Sequence, residues 1–137
     1  MTGTVLRCIL PAAFLVAGTA VAMAQSGLVG KAEKLPPITL SSGAPLADKP
    51  LTLKAGTYYK LAIKSDGSAE KDLRGPAFFR NCWINEIVIN DIEVRPLGLD
   101  SLEFDDEGEA DISFVCIKPG QFELTSIGSE PLKVTVE

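Results

Sequence analysis

The sequence predicts an all-β protein, a Greek-key β-sandwich of about seven or eight short strands in one domain. Three observations carry that expectation. Apolar residues recur at every second position in several short runs, the period at which one face of a strand is buried. Gly, Pro, Asn and Asp separate those runs, and each of them favours a tight turn for its own backbone reason. No segment sustains a helical period over about ten residues.

The elements follow in chain order. MTGTVLRC carries one positive charge, Arg7, and ILPAAFLVAGTAVA is an apolar run. Ala22-Met23-Ala24 then places small residues at the −3 and −1 positions before Gln25. This pattern reads as a secretory signal peptide over residues 1–24, cleaved near Ala24. The alternative is a membrane anchor, but the apolar core is short for a span of about 20 residues. No stop-transfer charges follow directly. Cys8, Met1 and Met23 leave with the leader, so the mature chain has neither His nor Met. It keeps 12 basic and 18 acidic residues, a net charge of −6.

Residues 25–37, QSGLVGKAEKLPP, form a polar lead-in expected to be loosely ordered until Ile38. The domain then runs over residues 38–137. "ITL" makes a short strand and "SSGAPLADKP" supplies turn chemistry. In "LTLKAGTYYKLAIKSDG", Leu51 and Leu53 alternate with polar residues and Ala55-Gly56 turns the chain. Thr57, Tyr59, Leu61 and Ile63 then share one face of a half-buried strand. "SAEKDLRGPAFF" reads as a connector, polar as far as Arg74 and turned by Gly75-Pro76. "RNCWINEIVIN" returns to β-branched residues. Asn90-Asp91 suits a tight turn because both residues tolerate left-handed backbone, and "DIEVRPLG" continues as strand to Pro96. A short strand lies around Leu102 and Phe104. After the acidic turn at 106–108, a strand places Ile112, Phe114 and Cys116 on one face. Pro119-Gly120 turns the chain, "QFELTS" buries Phe122 and Leu124, and "LKVTVE" points Leu132, Val134 and Val136 inward.

Composition limits function. An acidic secreted domain is a poor binder of nucleic acid and of anionic membranes, and no membrane span remains after leader cleavage. Without histidine there is no Ser-His-Asp or Cys-His pair and no ordinary zinc site. No glycine-rich phosphate loop is present. The expectation is a protein that is not an enzyme. Cys82 and Cys116 read first as a disulfide in an oxidising compartment, with two buried thiols as the alternative. The run "DSLEFDDEGEAD" offers carboxylates at Asp105, Asp106, Glu107 and Glu109 as a candidate metal site. It lacks EF-hand spacing, and a solvated turn is the first reading, with a docking patch for a basic partner as a further alternative. "GPAFFRNCW" gathers Phe78, Phe79, Arg80 and Trp83, the residue types of interface hot spots, as a candidate binding loop. Packing of the aromatics at one end of the sandwich is the competing reading.

Three stretches resemble the cupredoxin family, small secreted β-sandwiches that often carry copper. "PLTLKAGTYYKLAIKSDG" looks like the family's early strand pair. "GPAFFRNCWINEIVI" lies where the family places the loop of its first histidine. "EADISFVCIKPGQFELTS" is similar to the hydrophobic strand, Pro-Gly, aromatic and strand that lead to its ligand loop. The resemblance covers roughly residues 38–137, with an immunoglobulin-like sandwich as the alternative. It implies copper, yet a blue-copper site wants two imidazoles, a thiolate and a weak axial ligand. Here Thr125 stands where the resemblance expects the cysteine, and "SIGSEPL" after it holds neither His nor Met.

The expected function is therefore a non-enzymatic periplasmic or secreted module that binds a partner protein or small ligand, without a cofactor. Copper handling or electron-transfer support is one alternative, and thiol–disulfide redox work is another. The chain is expected to be a monomer or a weak dimer.

Overall fold

A computed structural model describes residues 30–137 of the chain. The leader and cleavage site expected at 1–24 and the start of the expected lead-in lie outside the described residues. In chain order the strands are β1 Glu33–Lys34, β2 Ile38–Leu40, β3 Leu51–Leu53, β4 Tyr58–Ser65 and β5 Lys71–Arg74. A short helix, α1 Pro76–Arg80, precedes β6 Cys82–Ile89, β7 Ile92–Val94 and β8 Ser101–Phe104. β9 Gly108–Cys116, β10 Gly120–Leu124 and β11 Leu132–Val136 complete the order.

The largest sheet is centred on β9, which pairs antiparallel with β4 on one side and β6 on the other. β7 extends the sheet beyond β6, and β1 and β2 both run parallel to the far edge of β4. A three-stranded sheet, β10-β11-β3, and a β5–β8 ribbon make up the rest. Arg74 and Thr125 exchange reciprocal main-chain hydrogen bonds of 2.8 Å, which hook the ribbon onto the end of β10. The protein is an all-β sandwich.

The period-two pattern explains the core. Tyr59, Leu61 and Ile63 of β4 and Ala110, Ile112, Phe114 and Cys116 of β9 all point inward and are buried. Leu51, Leu53, Leu124, Leu132, Val134 and Val136 close the core from the smaller sheet. On β6 the inward set is Cys82, Ile84 and then Ile87. A register shift between Ile84 and Glu86 accounts for the change of phase, a bulge that inserts one residue and keeps Ile87 facing the core. Ser41 and Ser68 donate to Asp66, tying the 41–50 loop to the end of β4 and lowering the Asp66 carboxyl to about 2.

Three features depart from the sequence reading. The chain joins the sheet at Glu33, ahead of Ile38, because Leu35 packs against the core and its N–H reaches the Lys60 carbonyl at 2.9 Å. The expected connector contains a strand, β5, and a helix, α1. The strand count rises accordingly, because pieces of two to four residues have too few positions to display a period. Among the described residues no helix is long and apolar enough to cross a membrane.

Candidate functional site

The chain segment that forms one wall of a surface groove is set up at Gly75. A Cβ there would meet the buried Leu124 Cδ2 at 2.3 Å, so only glycine lets the chain pass this close to β10. Pro76 then opens α1, where its missing N–H costs nothing. The helix turns Phe78 and Phe79 inward and leaves Arg80 outside. Phe78 is edge-on to Phe114 at 5.5 Å and to Phe122 at 6.0 Å, so it is a core residue. β7 pairs only with the last part of β6, and among the described residues the edge of β6 at 82–84 has no strand partner on that side. The segment from Pro96 to Asp100 crosses this gap.

The result is an open groove of about 530 Å³. Its lining includes buried Phe79, Cys82 and Ile84, and it is rimmed by Trp83, Leu97 and Ile117. Trp83 is 45% exposed, Ile117 62%, and Leu97 fully exposed. Arg80 and Asp100, 3.8 Å apart and both exposed, stand at one end as a weak ion pair. Three large apolar side chains around one hollow form a surface that water solvates poorly. Of the four residues read as a binding loop, Phe79, Arg80 and Trp83 line this groove. Phe78 is removed from it by its place in the aromatic core. Leu97, Leu99 and Ile117 had no sequence signal, since each stands alone among polar or turn residues and meets the others only through the fold.

Cys82 and Cys116 face each other on adjacent strands and are joined as a disulfide, beneath the groove. The acidic candidates are dispersed. Asp105 has a ligand atom within 4.8 Å of those of Glu70 and Glu103, an exposed group. A hydrogen bond with Glu103 and the charges of Glu103 and Asp105 push the Glu70 carboxyl upward. Asp106 instead accepts from the Glu107 N–H at 2.8 Å, and Glu109 pairs with Lys64 at 3.2 Å.

The loop after β10 is held by a different chemistry. Lys71 and Asp72, only 6% and 4% exposed, lie beside it. The Lys71 ammonium donates to the Ile127 carbonyl at 2.8 Å, and Asp72 Oδ1 accepts the Ile127 N–H at 3.2 Å. Arg74 Nε donates to the other Asp72 oxygen. The side-chain donors left in this loop are the hydroxyls of Thr125, Ser126 and Ser129 and the carboxylate of Glu130. Hard hydroxyl and carboxylate oxygens beside a buried ammonium do not fit a copper centre that wants two imidazoles and a thiolate.

No family model matches the chain, and no curated protein matches it. Solved structures do. The chain is similar to a multicopper oxidase from Campylobacter jejuni, with a TM-score of 0.56 and 8% identity over 78% of this chain. It is similar to a multi-copper oxidase from Pseudomonas thermotolerans, with a TM-score of 0.57 and 14% identity over 77% of this chain. It spans about 30% of each oxidase. Auracyanin B matches over 79% of this chain and 91% of its own length, at a TM-score of 0.50 and 12% identity. At such identities the likeness concerns the fold, and the fold is cupredoxin-like.

Proposed function

We propose, with the cupredoxin-like fold as premise, that this chain is a non-enzymatic periplasmic or secreted module that binds a partner protein or small ligand in the Trp83–Leu97–Ile117 groove. The observation that carries the reading is the groove itself. Its volume falls within the range of about 300–1,000 Å³ seen for ligand sites, and its lining is mostly apolar with an Arg–Asp pair at one end. A Trp and an Arg beside one apolar hollow are the side chains that dominate binding energy at interfaces.

The module works without a blue-copper centre, because the loop that would carry its ligands is pinned by Lys71 and Asp72 instead. Copper held by two thiolates and a cycling dithiol both require the Cys82–Cys116 bond to open first. Both therefore rank behind binding.

The test is a backbone amide NMR titration with a small set of aromatic and aliphatic carboxylates and amines. Shifts gathered at Arg80, Trp83, Leu97 and Ile117, and abolished by Leu97→Asp, support the reading. Shifts scattered elsewhere, or unchanged in that variant, refute it.

A further inference from the structure

One edge of the large sheet is β7, which pairs with β6 and with no other strand among the described residues. Its two faces differ. Ile92 and Val94 stand opposite Ile89 and Ile87, on the side of the sheet that faces the core. Yet Ile92 is 65% and Val94 44% exposed, since the opposing layer does not cover them. Glu93 and Arg95 lie on the other face, both exposed, with Arg95 Nη2 3.4 Å from Glu93 Oε2 and 3.3 Å from Glu86 Oε2, and its Nη1 donating to Asn85 Oδ1 at 3.1 Å.

The turn fixes which main-chain groups are free. Asn90 and Asp91 have φ of 47° and 64°, the two positive values of a type I′ hairpin turn. Such a turn closes on a hydrogen-bonded pair, here Ile89 and Ile92, and the pairs then alternate along the ladder. Ile92 and Val94 therefore direct N–H and C=O to β6. Glu93 and Arg95 direct theirs outward, and Pro96 biases Arg95 toward extended backbone.

We propose that β7 is a homodimerisation edge, at which two copies pair antiparallel about a two-fold axis at Val94, with Glu93 opposite the partner's Arg95. Only outward-facing residues can exchange hydrogen bonds across such an edge, so three registers are available. Glu93 opposite the partner's Glu93, or Arg95 opposite the partner's Arg95, sets like charges face to face, which destabilises a strand pair. The third register sets opposite charges together twice by symmetry, and each Glu93–Arg95 pair exchanges both of its main-chain hydrogen bonds. It also lays Val94 against the partner's Val94 and Ile92 against the partner's Pro96, covering the exposed apolar side chains. The missing N–H of Pro96 lies at a position directed away from the partner, so it removes no bond. Charges on an edge ordinarily discourage pairing. Here their alternation in sign leaves one register open. The edge shares Pro96 with the lining of the groove, but the strand pairing does not depend on any ligand there.

Sedimentation equilibrium of the purified secreted protein at low salt tests the edge. The expected result is a reversible dimer between micromolar and millimolar concentration. Glu93→Arg and Arg95→Glu should each weaken it about tenfold or more, and the double variant should restore it to within about threefold. Val94→Cys should cross-link to its own copy faster than Ile92→Cys does, because Val94 lies on the axis. A protein that stays monomeric at millimolar concentration overturns the proposal. So does a dimer unmoved by either reversal, or one that the double variant fails to restore.

Discussion

Asp72 shows how one buried carboxylate can organise a surface loop. Its two oxygens take the Ile127 N–H and the Arg74 guanidinium, while neighbouring Lys71 caps the Ile127 carbonyl. Removing a buried acceptor leaves a desolvated donor behind, which costs more than the bond gains in a folded protein. Asp72→Ala should therefore destabilise by about 2–4 kcal/mol, read as a lower denaturation midpoint. Asp72→Asn keeps an oxygen for Ile127 and should lose less. Equal midpoints for both variants and the native protein would count against this role. In the sequence, "EKDLR" reads as a solvated stretch, because charged residues are seldom buried. The Ile127 main chain that both Lys71 and Asp72 bind lies more than 50 residues away, and no local pattern signals it. The Phe78 side chain was ambiguous for the same reason. Two adjacent aromatics suit a hot spot or a core plug, and only contact with Phe114 and Phe122 decides.

At the scale of elements, the long strands were legible and the short ones were not. β4 and β9 carry eight and nine residues, enough for alternation to declare which side chains point inward, whereas the bulge in β6 breaks its period after Ile84. β5 has four residues, three of them buried and two of those charged, so it follows no apolar alternation. Its existence rests on pairing with β8 and on the hook to Thr125. The pairing of β6 with β9 also fixes the disulfide, since Cys82 and Cys116 fall directly opposite each other. With a sequence separation of 34, the bridge restricts the unfolded chain by about 4 kcal/mol in the loop-entropy account. Cys82→Ala/Cys116→Ala should lower unfolding free energy by that order in a urea titration. A loss below about 1 kcal/mol would mean that the bridge constrains little that the sheet does not already hold.

At the scale of the molecule, a cupredoxin-like sandwich is combined with a loop whose donors do not suit copper. Adding Cu(II) to the oxidised protein should produce no intense visible band and no rise in melting temperature. A stoichiometric blue species would overturn the proposed copper-free module. The sequence by itself determined the β class, the two cysteines available for a bridge, the inward faces of β4 and β9 and the lack of imidazole ligands. Each of these is carried by residue identity or by a period of two, which needs no distant partner. The tertiary structure decided the rest. It brought Trp83, Leu97 and Ile117 around one hollow, buried Lys71 and Asp72 against the Ile127 loop, and left β7 as a free edge. Those arrangements depend on which strands become neighbours, and that choice is made by packing the whole core at once rather than by any local run of residues.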